Sequence, residues 1–128
     1  MKLTYDNRVD RHANLTTVLD PAEAVVEQAI KALDGVGHTE VLLEQGTQLS
    51  IGGGVGQYVV SMFTADERSL VAISPSAPNS DEKVKLVAGG QKISVPRRQV
   101  LSVEHAVAAA LHFLRTGHPD KSLTWEEA

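Results

Sequence analysis

Near the end of the chain stand four side chains of the types that hold a metal: His105 and His112, seven apart, with His118 and Asp120 beyond them. Seven residues are close to two helical turns, so the first two histidines share a face. The i, i+4 pairing of an HExxH site is missing and no further ligand is placed by the sequence. Solvated or core-edge histidines are therefore the preferred reading, and no metal is expected. The cluster Gly52-Gly53-Gly54-Val55-Gly56 invites phosphate binding. However, Gln57 sits where GxGxxG needs its third glycine, and a strand-like run follows where a helix N-terminus would receive the pyrophosphate. No serine lies in a GxSxG elbow, and no triad can be assembled from order alone. The doublets Asp66-Glu67 and Asp81-Glu82 could do acid–base work, although such pairs are more commonly solvated turn residues. Lys83, Lys85, Lys92, Arg97 and Arg98 make one stretch basic, but with few aromatics between them they read as solvated strand faces rather than a nucleic-acid platform. These tests leave no catalytic residue and no cofactor to expect.

The elements that must position these residues begin with Leu49 to Phe63, LSIGGGVGQYVVSMF, in which strand-like runs flank the glycines. Leu49 and Ile51 alternate with Ser50, and Tyr58, Val59, Val60, Met62 and Phe63 suit a pleated, half-buried surface. The spacing predicts a hairpin whose loop is longer than a two-residue turn, with glycines free to take positive φ or to admit another backbone. Lys2 to Asp6 reads as a short strand, and the polar NRVDRHAN after it as an exposed connection. Asp20-Pro21 signals a helix start with Asp20 as the cap. Ala22, Val25, Val26, Ala29, Ile30 and Leu33 form one apolar face to about Leu33, where Gly35 and Gly37 stop it.

From His38 to Val95 the period turns to alternation, with short turns at Gln45-Gly46, Ala65-Asp66-Glu67 and Gly89-Gly90, which suits an antiparallel meander. The longest break, Ser74 to Asp81, SPSAPNSD, is a loop tip of the kind that carries binding contacts. Ser102 caps a second helix with Glu104 in its first turn. Val103, Ala106, Val107, Ala110, Leu111 and Leu114 line one face, and Gly117 with Pro119 ends it near Arg115. The sole tryptophan, Trp125, is expected to pack under that helix and tie the tail down.

A length of 128 residues sets the prior at one domain spanning the chain. No apolar run is long enough to cross a bilayer, and the start, MKLTYDNRVDRHANL, carries charges where a secretory leader has its apolar segment. A cytoplasmic protein is expected. The lack of cysteine removes disulfides, thiolate catalysis and cysteine zinc sites. A net charge of −4 argues against non-specific nucleic-acid binding and leaves a basic protein partner plausible.

Spaced motifs then resemble a known family. Leu49-x-Ile51-Gly52 followed by Tyr58-Val59-Val60 and Phe63 is similar to its central strand pair, and Gly90-Gln91 with Val95-Pro96 to its next block. Ala106, Ala109, Phe113, Thr116-Gly117, Pro119, Leu123 and Trp125-Glu126 are similar to its closing pattern, a helix ending in TG-x-P and then L-x-W-x-E. The family is that of the immunity proteins of bacterial polymorphic toxin systems, the one numbered one in the Imm series. The resemblance implies a non-enzymatic cytoplasmic inhibitor. Its partner would be a cognate toxin domain, in this family often a nucleic-acid deaminase, whose active site or substrate groove it blocks.

Together these readings predict an α+β fold, an antiparallel meander of about five to six strands with two main helices packed on one face. The partner-facing residues expected are Asp66, Glu67, Ser80, Asp81 and Glu82, with Leu49, Ile51, Gly52, Tyr58, Phe63, Pro96, Phe113, Gly117, Pro119 and Trp125 as scaffold. Neither nucleic acid nor membrane is expected as a direct partner. The competing readings are a small ligand-binding protein or hydrolase and a homo-oligomeric structural module.

Overall fold

A computed structural model describes residues 1–10 and 12–128; Arg11, within the stretch read as an exposed connection, lies outside the described residues. In chain order the elements are β1 (Lys2–Val9), β2 (His12–Leu19), α1 (Glu23–Lys31), β3 (Glu40–Gln45), β4 (Thr47–Gly54), β5 (Gln57–Phe63), β6 (Ser69–Ile73), β7 (Lys83–Ala88) and β8 (Gln91–Pro96). A one-turn 3-10 helix (Arg97–Gln99), α2 (Val103–Thr116) and β9 (Thr124–Glu127) complete the chain. The fold is α+β. Among the described residues nine strands form two sheets, one of seven strands in the order β2-β1-β3-β4-β5-β6-β9 and a separate β7–β8 pair. Every pairing is antiparallel. No helix among the described residues is long and apolar enough to cross a membrane.

Alternation decides the core. Leu3, Leu43, Leu49, Met62 and Leu70 are successive cross-strand neighbours, and Val41, Ile51 and Val60 form the next row. Because side chains alternate across a sheet, both rows share one face. That face meets Val26 and Ile30 of α1 and Ala106, Ala109, Ala110 and Phe113 of α2 in one cluster. Phe113 is completely buried, a contribution of about 1.5–3 kcal/mol from a side chain of that size. The opposite face is crossed by the β7–β8 hairpin, which touches the sheet at Gly52. A Cβ there would stand 2.4 Å from the Ala88 Cβ. Val84 and Leu86, on the same side of β7 as Ala88, are buried beneath the hairpin.

Several expectations need correction. The chain has more strands than the five or six expected. The polar NRVDRHAN contributes strand rather than connection, because β1 and β2 form a hairpin at the sheet edge whose outer half no helix covers. β3 pairs only with Lys2 to Tyr5 of β1, so Asn7, Arg8, His12 and Asn14 need no apolar partner. The tail is a strand, β9, at the sheet edge on β6, and Trp125, opposite Ala72, packs against the core that holds α2, as expected. Trp125 is half-buried at the core margin and donates its Nε1–H to the Asp120 carbonyl at 2.9 Å. Asp20 does not cap α1: it takes a positive φ of 48°, and Ala22 stands at the N-cap without a side-chain bond.

The glycines lie inside β4, Gly52, Gly53 and Gly54 pairing with Val59, Tyr58 and Gln57. The connection is only Val55-Gly56, with φ of 53° and 86°, the conformation of a tight primed turn. Gly54 is required because a Cβ would meet the Leu33 carbonyl oxygen at 2.5 Å. α2 matches its reading closely: the Ser102 hydroxyl oxygen accepts from the His105 amide, and Gly117 closes the helix in the left-handed conformation.

Candidate functional site

The expected partner-facing residues fall in two turns at opposite ends of β6. In the first, the Thr64 hydroxyl donates to Asp66, and that bond, with Arg68 nearby, holds the Asp66 carboxyl below the usual range. Glu67 sits beside it at a φ of 65°. In the second, the Arg98 amide donates to the Ser80 carbonyl and the Arg97 amide to the Glu82 carbonyl. The guanidinium of Arg97 meets Glu82 at 2.9 Å, and that of Arg98 meets Asp81. The long loop is thus tied down at the 3-10 turn and does not fold back along β6.

β9 is what connects the two turns. Arg68, from the first, reaches Glu127 at 2.6 Å, and Arg98, holding the second, also binds Glu126 at 3.2 Å. The Glu126 bond, with Asp81 adding to it, pushes the Arg98 guanidinium still higher. These carboxylates lie in two groups that wrap the β9 edge as an acidic rim: Glu127 with Arg68, beside Asp66 and Glu67, on the helix side, and Asp81, Glu82 and Glu126 with Arg97 and Arg98 on the other. Glu126 and Glu127 were not among the expected contacts. Their role depends on the tail being a strand, and four residues give too little alternation to show it.

Sequence reasoning also missed a polar centre at the other side of the sheet. Asp6 is fully buried and accepts from the Thr39 hydroxyl, the Thr39 amide at 2.7 Å, the Glu40 amide at 3.0 Å and the Arg8 guanidinium at 2.7 Å. Burial pushes its carboxyl up, but the Thr39 bonds, Arg8 and the Glu40 amide together bring it below the ordinary value. Burial and the nearby Asp6 charge push Glu40 up. Thr39 Oγ1 also accepts from the Gly90 amide at 2.9 Å, joining the β7–β8 turn to the centre. No local spacing signals this arrangement, since Asp6 and Thr39 are 33 residues apart.

The remaining candidates are placed as follows. Leu49, Ile51, Tyr58 and Phe113 are core, while Phe63 is half exposed on the face away from the helices. Tyr58 and Leu101 exchange backbone bonds of 3.1 and 2.7 Å, fastening β5 to the start of α2. Pro96 ends β8 before the 3-10 turn, and Pro119 follows Gly117 after α2. The His105 ring meets the Ser102 hydroxyl at 3.1 Å, where that oxygen also caps α2. Burial raises the Asp120 carboxyl, but Ser122 and the neighbouring His112 and His105 bring it below its ordinary value. Among the described residues no three His, Asp or Glu side chains gather as a metal-holding group. An open cleft of about 620 Å³ separates Gly53 and Gly54 from Lys85, Lys92 and Ser94 of the second sheet. Its one carboxylate, Asp34, is engaged by the amides of Val36, Gly37 and His38.

Comparison with curated proteins gives no match. Comparison with family models matches residues 8–127 to "Immunity protein Imm1", leaving out only residues 1–7 and 128. The chain therefore belongs to the Imm1 immunity protein family.

Proposed function

We propose that this immunity protein neutralises a toxin that acts on nucleic acid, a deaminase, by laying its acidic rim over the toxin's substrate groove, in the cytoplasm and by binding alone. The observation that carries this reading is the rim itself. A groove that holds phosphates is basic, so its blocker benefits from carboxylates that are accessible and fixed in place. β9 supplies two of them and its arginine partners fix the two flanking turns, so the rim is presented with little left to order on binding.

The test is association with the toxin encoded beside this protein, followed by surface plasmon resonance at several salt concentrations and by residual deamination of single-stranded substrate. Asp66→Asn combined with Glu67→Gln, which removes both carboxylates of the first turn, should slow association about tenfold at low salt and less at high salt. An association rate equal to wild type at every salt concentration removes the rim from the interface. A toxin that is bound while its deamination continues unchanged overturns the groove-blocking mechanism. The cleft beside Gly53 favours a second reading, a small anion held by Lys85 and Lys92, and calorimetric titration with a nucleoside monophosphate tests it.

A further inference from the structure

The outermost strand β2 carries a second surface, independent of the acidic rim. Seven of its eight residues are exposed, with Val18 the half-buried exception. Among the described residues only β1 pairs with it. Leu15 and Leu19 are 63% and 74% exposed, too much for residues that merely border a core. From Ala13 to Leu19, ANLTTVL, there is no charge and no proline. An edge of that length and neutrality has none of the devices that ordinarily keep sheet edges from pairing.

The direction of its free backbone groups can be read from its neighbours. The Asp20 amide donates to the Met1 carbonyl across the hairpin, while the Arg8 amide turns away from β2 to the Gly37 carbonyl. Antiparallel ladders alternate, so the N–H and C=O groups of Ala13, Leu15, Thr17 and Leu19 point outward. By the register with Lys2, Thr4, Asp6 and Arg8, those four side chains lie on the face away from the helices.

We infer that β2 pairs with β2 of a second copy of this chain, antiparallel about a two-fold axis at Thr16, making one continuous sheet across the dimer. In that register Leu15 faces Thr17 of the copy and Ala13 faces its Leu19, each pair joined by two backbone bonds, about eight in all. The exposed leucines of both strands become diagonal neighbours on one face. Thr16 meets its own copy, and Asn14 meets Val18, on the other. The absence of charge is what selects a copy over a charged partner. Identical strands with a charge at these positions would set like beside like, whereas a strand meant for a charged partner would carry the opposite sign. The arrangement is self-complementary and closes at two chains.

Sedimentation equilibrium of the full chain up to about 0.1 mM tests this, since a homodimer is a function of protomer concentration. Wild type is expected to approach twice the chain mass. Leu15→Lys, at an exposed position, should weaken dimerisation at least tenfold, and Thr17→Pro, which removes an outward N–H without touching the bonds to β1, should abolish it. Circular dichroism and the thermal midpoint check that both variants remain folded. A wild type monomeric across the range overturns the inference, as does a dimer that both variants retain. Loss of toxin binding by Leu15→Lys from a monomeric wild type would likewise overturn it and give the edge to the toxin. A toxin complex that forms with the monomeric variants leaves the acidic rim's role standing by itself.

Discussion

The same seven-stranded sheet ends in two ways. β9 is four residues long and carries Glu126 and Glu127, each met by an arginine from a neighbouring turn. β2 is eight residues long, neutral from Ala13 to Leu19, with two leucines in solvent. Both strands offer unpaired backbone on their outer side, so the difference lies in side chains and length. A short charged strand resists pairing with its like, because a copy would bring carboxylate against carboxylate. A long neutral strand invites it. The edges therefore suit different partners: a basic groove at β9 and a second neutral strand at β2.

The two edges also differ in how they are held, and mutations can expose that. The largest effect is expected at Asp6, which joins β1, and through it β2, to Thr39 and Glu40. Asp6→Ala strands the Thr39 and Glu40 amides and deprives Arg8 of its partner, a loss of about 3 kcal/mol for removing one member of a buried charged network. Hydrogen exchange should accelerate in β1 and β2 and stay unchanged in β9; equal acceleration at both edges would show that they are not separately anchored. Gly52→Val comes next, at about 2 kcal/mol for overpacking against Ala88. The residue has no positive φ, contrary to the reading of this glycine as a turn position, so the cost is the close approach of β7. Gly52→Ala should recover only part of the loss in urea denaturation, and full recovery would contradict the 2.4 Å contact.

Acid should weaken the β1–β2 edge through Asp6. The Asp6 carboxyl is lowered in the folded protein, so folding favours its charged form. Its contribution is present above the unfolded carboxyl value of about 3.9 and disappears as pH falls through the lower folded value. The stability gap between wild type and Asp6→Asn should therefore shrink below about pH 4. A gap that is constant down to acid unfolding would remove Asp6 from the linkage. Glu127→Gln is the smallest change. Its pair with Arg68 is exposed, and stability should move by less than about 0.5 kcal/mol. Sedimentation of the variant should match wild type; new association through β9 would mean that a single charge, rather than the strand's shortness, protects that edge.

Helices and inner strands were legible in the sequence because each carries its own period. Val103 to Leu114 repeats at helical spacing with a cap before it and a glycine after it, and Leu49-Ser50-Ile51 and Tyr58 to Met62 alternate against a core that demands it. The closing motif around Trp125 likewise points to the family. The edges were not legible. Apart from Val18, β2 packs nothing against the core, and the outer half of β1 likewise faces no helix, so little forces their side chains to alternate, and a polar strand there looks like a loop. β9 is too short for a pattern. The separation of β7 and β8 from the main sheet and the closure of Asp6 on Thr39 depend on which segments meet across long stretches of chain. What the sequence by itself determined was the α+β class, the two helices, the central hairpin and the family. Only the tertiary structure decided that two acidic turns are each tied to β9 by an arginine and that β2 is left open. Both follow from pairings between distant strands, and backbone hydrogen bonds leave no residue-type signature at the positions that make them.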